Sequence, residues 1–244
     1  MSNPVPAQDD PKDNERSQRP THYLFVVVFL SGMSVLAIEL SASRLLGPVF
    51  GTSNLIWANV IGLILVYLTV GYVIGGRWAD RSPYPETLFR VISWGALLVA
   101  LIPLLARPVL NVANRVLLAS DGLVVISSFV VTLILFAAPV TLLAMVSPFV
   151  IRILIESTDT AGQLSGQIYA VSTVGSILGS FLPSLVLIPW LGTTLTFLVI
   201  SALLMTLALI GMLLVNRANL IKLSWMPAAQ FVVALILIIG LGRS

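Results

Sequence analysis

Between Thr160 and Asn216 the chain carries no charged residue. This constrains the fold more than any other feature. A helix needs about 20 apolar residues to cross a bilayer, so the run holds two crossings. Backbone in hydrocarbon must satisfy its own hydrogen bonds, and apolar runs of this length do so as helices. Composition agrees. Only 9% of the 244 residues are charged and mean hydropathy is +1.04, whereas soluble domains are about 25% charged. A soluble core would have almost no polar skin to cover it. The fold class expected is all-α, a polytopic membrane helix bundle.

Seven spans are expected in the remaining pattern. Span 1 covers about Tyr23 to Leu46, span 2 about Asn54 to Gly76, and span 3 about Leu88 to Leu110. Span 3 is the weakest, because Pro103 interrupts it and only Val91 to Ala106 is free of charge. Span 4 starts near Leu123 and stays uncharged until Arg152, longer than a bilayer requires. It is expected to tilt, or to kink at Pro139 or Pro148. Spans 5 and 6 share the uncharged run, with Trp190-Leu191-Gly192-Thr193 as the turn between them. Span 7 is about Leu223 to Leu241.

Residues 1 to 20 differ in kind, with acids, bases and prolines and little to bury. They read as a disordered cytoplasmic tail, with 21–244 as the transmembrane domain. The acids in the tail and the length of the first apolar run exclude a cleavable signal. Lys and Arg set orientation. An N-terminus in the cytoplasm puts Lys12, Arg16, Arg19, Arg77, Arg81, Arg90, Arg152, Arg217 and Lys222 inside. It leaves Arg44, Arg107, Arg115 and Arg243 on the outer side. The expected location is therefore the cell (inner) membrane, N-terminus inside, with the C-terminus outside if the spans number seven. Loop basic residues are explained by topology, and no nucleic-acid partner is expected. The lack of Cys excludes disulfides and thiolate metal sites.

An internal repeat is suggested by SNLIWANVIG at 53–62 and SGQIYAVSTVG at 165–175, which pair Ser53/Ser165, Ile56/Ile168, Trp57/Tyr169 and Ala58/Ala170. It relates spans 1–3 to spans 4–6, as in one six-helix half of a major-facilitator transporter. Gly71/Gly75 and Gly175/Gly179, with Ser172, Ser176 and Ser180, are small-residue stripes that imply close helix packing and no particular ligand.

Few polar residues fall inside the spans. Glu39 lies about 24 Å along span 1 at 1.5 Å per residue. A charge there is costly and should face the bundle interior. Two readings stay open: a cation or proton site, or an internal ion pair or packing hydrogen bond with Arg44 reaching back. Asn59 and Tyr169 complete the candidate substrate-binding set with Glu39 and Arg44. Arg77, Asp80 and Arg81 end span 2, and Arg152 ends span 4. They read as a structural brace, with Arg152 pairing to Asp80 or Glu156. No catalytic constellation, metal site or cofactor-binding loop is visible.

The series FLSGMSVLAIELSASRLLGPVFGTSNLIWANVIG, GYVIGGRWADR, MVSPFVIRIL and GQIYAVSTVGSILGSFLPSLVLIPWLGT resembles the membrane region of spermidine-synthase-like integral membrane proteins over about residues 25–195. Those proteins join a major-facilitator-like half to a spermidine synthase domain. GGRWADR also resembles the loop 2–3 motif of major-facilitator transporters, although SPYPE replaces its second half. The resemblance implies a major-facilitator half-like bundle. It also implies a membrane module that anchors or serves a separately encoded aminopropyltransferase-like partner, or a half-size dimeric transporter of a small cation such as a polyamine. A structural subunit of a larger membrane complex is the third reading. The synthase domain is not found within these residues, so the chain is expected not to be an enzyme on its own.

Overall fold

The computed structural model describes residues 21–119, 123–155, 158–215 and 225–241. The expected tail at 1–20 and the expected partner Glu156 lie outside the described residues. Among the described residues there is no strand, and the chain is an all-α bundle. Five helical runs are long and apolar enough to cross a membrane, the fifth being Thr160–Val215 with 56 residues; Trp225–Gly240 is a shorter apolar helix.

α1 (Thr21–Phe50) ends where Gly51 takes φ 79°, a conformation that favours glycine. Ser53 then caps α2 (Asn54–Arg81), its side chain accepting from the backbone N–H of Ile56. α3 (Pro85–Ala119) is 35 residues long and runs through both Pro103 and Pro108. Pro103 therefore does not interrupt it. Its apolar window is 67% buried, the most of the five, and neighbouring helices support a proline that propensity alone would reject. The fourth run breaks at Met145, between α4 (Val124–Ala144) and α5 (Val146–Leu154). Pro148 has no N–H for the carbonyl of Ala144, one turn earlier, which frees the backbone at that point. Pro139, the other expected kink, sits buried within α4 without a break.

α6 (Thr158–Leu182) passes through a π-helical turn at Pro183–Leu187 into α7 (Ile188–Val215). Gly192 interrupts α7 with φ 78° and ψ 168°. The expected turn at 190–193 thus coincides with a real helix break. α8 (Trp225–Leu241) lies mainly on α3, where Trp94 and Trp225 meet edge to face at 5.5 Å.

Three pairings dominate the bundle: α1 with α6, α3 with α7, and α2 with α4 and its continuation α5. Exchange the first three segments with the next three, counting α4–α5 as one. The α1–α6 pair then becomes the α4–α2 pair, and α3–α7 maps onto itself. The fold has an internal twofold relation. Its contacts repeat in detail. A Cβ on Gly175 would strike the carbonyl of Phe29, and one on Gly179 the carbonyl of Met33. At the equivalent places, a Cβ on Gly71 would strike the carbonyl of Thr141, and one on Gly75 the backbone of Met145. The sequences behind these contacts are TVGYVIG at 69–75 and TVGSILG at 173–179.

This register corrects the alignment of Ser53 with Ser165. The matching helix starts are Asn54 and Thr158, and that alignment is shifted from them by about two turns. It matched the start of α2 to the interior of α6, whereas the packing matches both helices from their starts.

Gly175→Ala should destabilise the fold by about 1–3 kcal/mol, because the clash is with backbone that cannot rotate away. Gly62 has open space around its Cβ position, so Gly62→Ala should be neutral or stabilising by up to about 1 kcal/mol. Equal unfolding midpoints for the two variants in denaturing detergent would contradict the close-contact account.

Candidate functional site

The two charges inside α1 do not form a pair. Five residues turn a helix by about 140° past a full revolution, so Glu39 and Arg44 leave on different faces. Glu39 is half-buried beside the buried Ile38, and Arg44 is exposed. Neither side chain has a hydrogen bond or ion pair among the described residues. The internal Glu39–Arg44 tie is therefore set aside.

Asn59 is held by packing. Its amide donates to Ser128 Oγ at 2.8 Å, and Ser128 Oγ in turn donates to the carbonyl of Val125 at 2.8 Å. This ties α2 to α4 one turn from the start of each. At the other end of the same helix pair, Arg152 Nε meets Asp80 Oδ1 at 3.0 Å. Trp78 packs edge-on against Phe149 beside it, ring centres 6.0 Å apart. The ion pair is well exposed on both sides, 43% and 71%. Arg77 and Arg81 are exposed and stand outside the pair.

The sites of the repeat converge between these two ends. A small cavity of about 50 Å³ lies where α1, α2, α4–α5 and α6 meet. Ser31, Ser147, Ser172, Ser176 and the Tyr72 side chain supply its polar lining. Ser176 Oγ donates to the carbonyl of Gly32 at 3.1 Å, stitching α6 to α1. Ser31 Oγ is buried, 3% exposed, without a protein hydrogen-bond partner. The lining also exchanges under the twofold: Gly32 with Ala144, Leu68 with Ser172, Tyr72 with Ser176. A water takes about 30 Å³ of liquid volume, so the space suits one or two waters. It is too small for a polyamine, and no charge lines it.

The outward surface beside this cavity is polar in places where lipid would not favour it. Tyr72 on α2 is 43% exposed and Tyr169 on α6 is 49% exposed. The two rings lie within electrostatic reach of one another. Tyr72 stands about 14 Å from the Arg81 end of α2, and Tyr169 about 17 Å from the Thr158 end of α6. Tyr169 therefore falls near the middle of α6, and Tyr72 nearer the Arg81 end of α2, both within the apolar parts of their helices. Thr69 and Thr173, equivalent under the twofold, are exposed on the same helices and bond back to Leu65 and Tyr169 carbonyls at 2.8 Å. α2 is also the least buried of the five runs, at 33%.

Of the residues expected at a site, Tyr169 falls on this face. Asn59, Asp80 and Arg152 serve helix contacts, and Glu39 and Arg44 lie elsewhere on α1. Ser31, Tyr72 and Ser147 were not singled out from the sequence. The shared TVG at 69–71 and 173–175 was a signal that could have pointed to Tyr72, the residue after it in α2.

No protein-family model, curated protein or solved structure matches this chain. The likeness to spermidine-synthase-like membrane proteins rests on the quoted motifs alone.

Asn59→Ala should cost about 0.6–1.7 kcal/mol, the range of interhelical hydrogen bonds in membranes. Asp80→Asn should cost no more than about 1 kcal/mol, because the pair is exposed. A double-mutant cycle on Asp80 and Arg152 measures this coupling directly, and a value several times larger would show that the brace carries more of the fold than its exposure allows.

Proposed function

We propose that the chain is half of a paired membrane transporter, with two copies apposed through their α2 and α6 faces and the solute path between them. The observation that carries this reading is the polar, exposed band of Thr69, Tyr72, Tyr169 and Thr173 within the apolar parts of α2 and α6. Polar groups within apolar spans normally face a bundle interior or a water-filled cavity. A three-span unit repeated by a twofold is the architecture in which such a face meets an opposing half.

In this reading the chain crosses the inner membrane seven times, with its N-terminus in the cytoplasm. The run Thr160–Val215 makes two crossings that meet at Gly192, because 56 residues of helix would span about 84 Å. α8, with 17 residues, is the seventh crossing. An odd number of crossings in each unit sets the two units antiparallel, as an inverted repeat requires.

The solute class is a small organic cation, a polyamine being the one that the motif resemblance implies. Glu39, on α1 where it packs beside α6 and off the α2–α6 band, is the only acid among the apolar parts of the described spans, and an ammonium group would offset its charge. The solute passes between the copies, since the cavity within one copy is too small to hold it. A second reading is a membrane anchor for a soluble spermidine-synthase-like aminopropyltransferase. The exposed charges of Arg77, Asp80, Arg81 and Arg152, gathered at one end of α2 and α5, favour it as a docking point.

The chain has no cysteine, so single cysteines report cleanly. Thr69→Cys and Tyr169→Cys should crosslink between copies in native membranes and react with a water-soluble maleimide. Ile134→Cys, on a 57% exposed position of α4, should do neither. Lack of reaction at both test positions would reject the paired-transporter reading. Glu39→Gln should abolish saturable spermidine uptake into vesicles while insertion remains normal. Stoichiometric co-purification of an aminopropyltransferase-like protein, with uptake unaffected, would instead select the anchor.

A further inference from the structure

We infer that the pocket between the last turns of α1 and the first turns of α2 is a binding site for a phosphate-bearing anion, supplied by the headgroup of an anionic phospholipid. The pocket holds about 250 Å³. Arg44 is the one cation on it, and no acid lines it. Thr52 brings a hydroxyl and Trp57 an indole N–H, both from exposed positions. Ser43 also lines it, its hydroxyl turned back to the carbonyl of Glu39 at 3.4 Å, and Leu46, Ile56 and Val60 form an apolar wall.

These groups select the ligand. Arg44 and Glu39 are the only side chains with a full charge between Thr21 and Gly76, and Glu39 is on another face of α1. Arg44 thus has no acid partner among the described residues. A guanidinium binds a phosphate through two parallel N–H donors, and such charge-assisted bonds are the strong ones. The apolar side of the pocket suits an acyl chain running along α1 and α2. A cation, two neutral donors and an apolar wall together match an amphipathic anion. A polyamine, being cationic, would be repelled from this pocket, so the site is separate from the proposed solute path. It explains why an arginine stands at the end of an otherwise apolar helix.

The test is native mass spectrometry of the full chain in a neutral detergent, after exchange into dioleoylphosphatidylglycerol or dioleoylphosphatidylcholine. The wild type should retain phosphatidylglycerol in preference to phosphatidylcholine. Arg44→Gln should lower that retention by about tenfold, the loss expected for one charge-assisted contact pair. Arg44→Lys should lie between, because it keeps the charge without the fork. Arg115→Gln, at an exposed arginine of α3, should leave retention unchanged and so control for general attraction of anionic lipid. Thermal midpoints measured with glycerol 3-phosphate and with inorganic phosphate identify the source. A rise with the lipid alone supports the headgroup assignment. An equal, Arg44-dependent rise with the soluble anions supports a phosphate site but overturns the lipid as its source. Equal lipid retention by wild type and Arg44→Gln overturns the proposal.

Discussion

The structure depends on two direct contacts between helix backbones, at Gly175 and Gly179 against α1 and at Gly71 and Gly75 against α4–α5. Lipid tails are as apolar as leucine, so helices in a bilayer gain nothing from burying leucine against leucine instead of lipid. Close van der Waals approach and hydrogen bonds must hold them together. A missing side chain at four positions allows that approach twice, in related settings. Once α1 lies on α6 and α2 on α4, Ser176 is brought within hydrogen-bond distance of the Gly32 carbonyl, and Asn59 within reach of Ser128. The polar ties lie in the same helix pairings as the glycine contacts.

The same requirement explains the polar inventory. Ser41, Ser93 and Thr132 bond back to carbonyls four residues earlier in their own helices, which satisfies a hydroxyl without help from a neighbour. Ser201 reaches across to the Ala96 carbonyl at 2.7 Å and joins α7 to α3. Tyr23 likewise donates to the carbonyl of Leu207. Against this background of satisfied groups the exceptions stand out. Ser31 Oγ, Tyr67 Oη and Gln230 Oε1 are buried without a hydrogen-bond partner, and Tyr72 and Tyr169 face outward within apolar helices. Of the buried three, Ser31 lines the candidate site.

Much of the architecture was legible in the residues. Uncharged runs gave the helices, Gly192 gave the break near 190–193, and the glycine pairs gave the closest helix approaches. Three things were not legible. The break in the fourth run falls at Met145 because a proline acts on the carbonyl one turn earlier, so the residue that causes a kink is not where the kink appears. Pro103 fails to interrupt α3 because burial against neighbouring helices outweighs local propensity. Asn59 and Tyr169 read alike as polar residues in apolar helices, yet one is spent on Ser128 and the other is exposed. Helix phase relative to a neighbour decides that difference, and the partner's position is a tertiary fact.

Where the two repeats diverge is as informative as where they agree. The contact pairs Phe29/Thr141 and Met33/Met145 set α1 against α4–α5, and continuing them places Leu40 opposite Arg152. The register of α2 and α6 places Ser184 opposite Asp80. The ion pair that ties α2 to α5 at one end therefore has a leucine and a serine at the equivalent place on the other. Glu39 stands next to that untied position. A twofold bundle with equal ties at both ends would resist opening equally at both. This one carries a charge tie at the Arg152 end and an unpaired acid at the opposite end. That asymmetry is imposed on a symmetric packing frame by a handful of side chains.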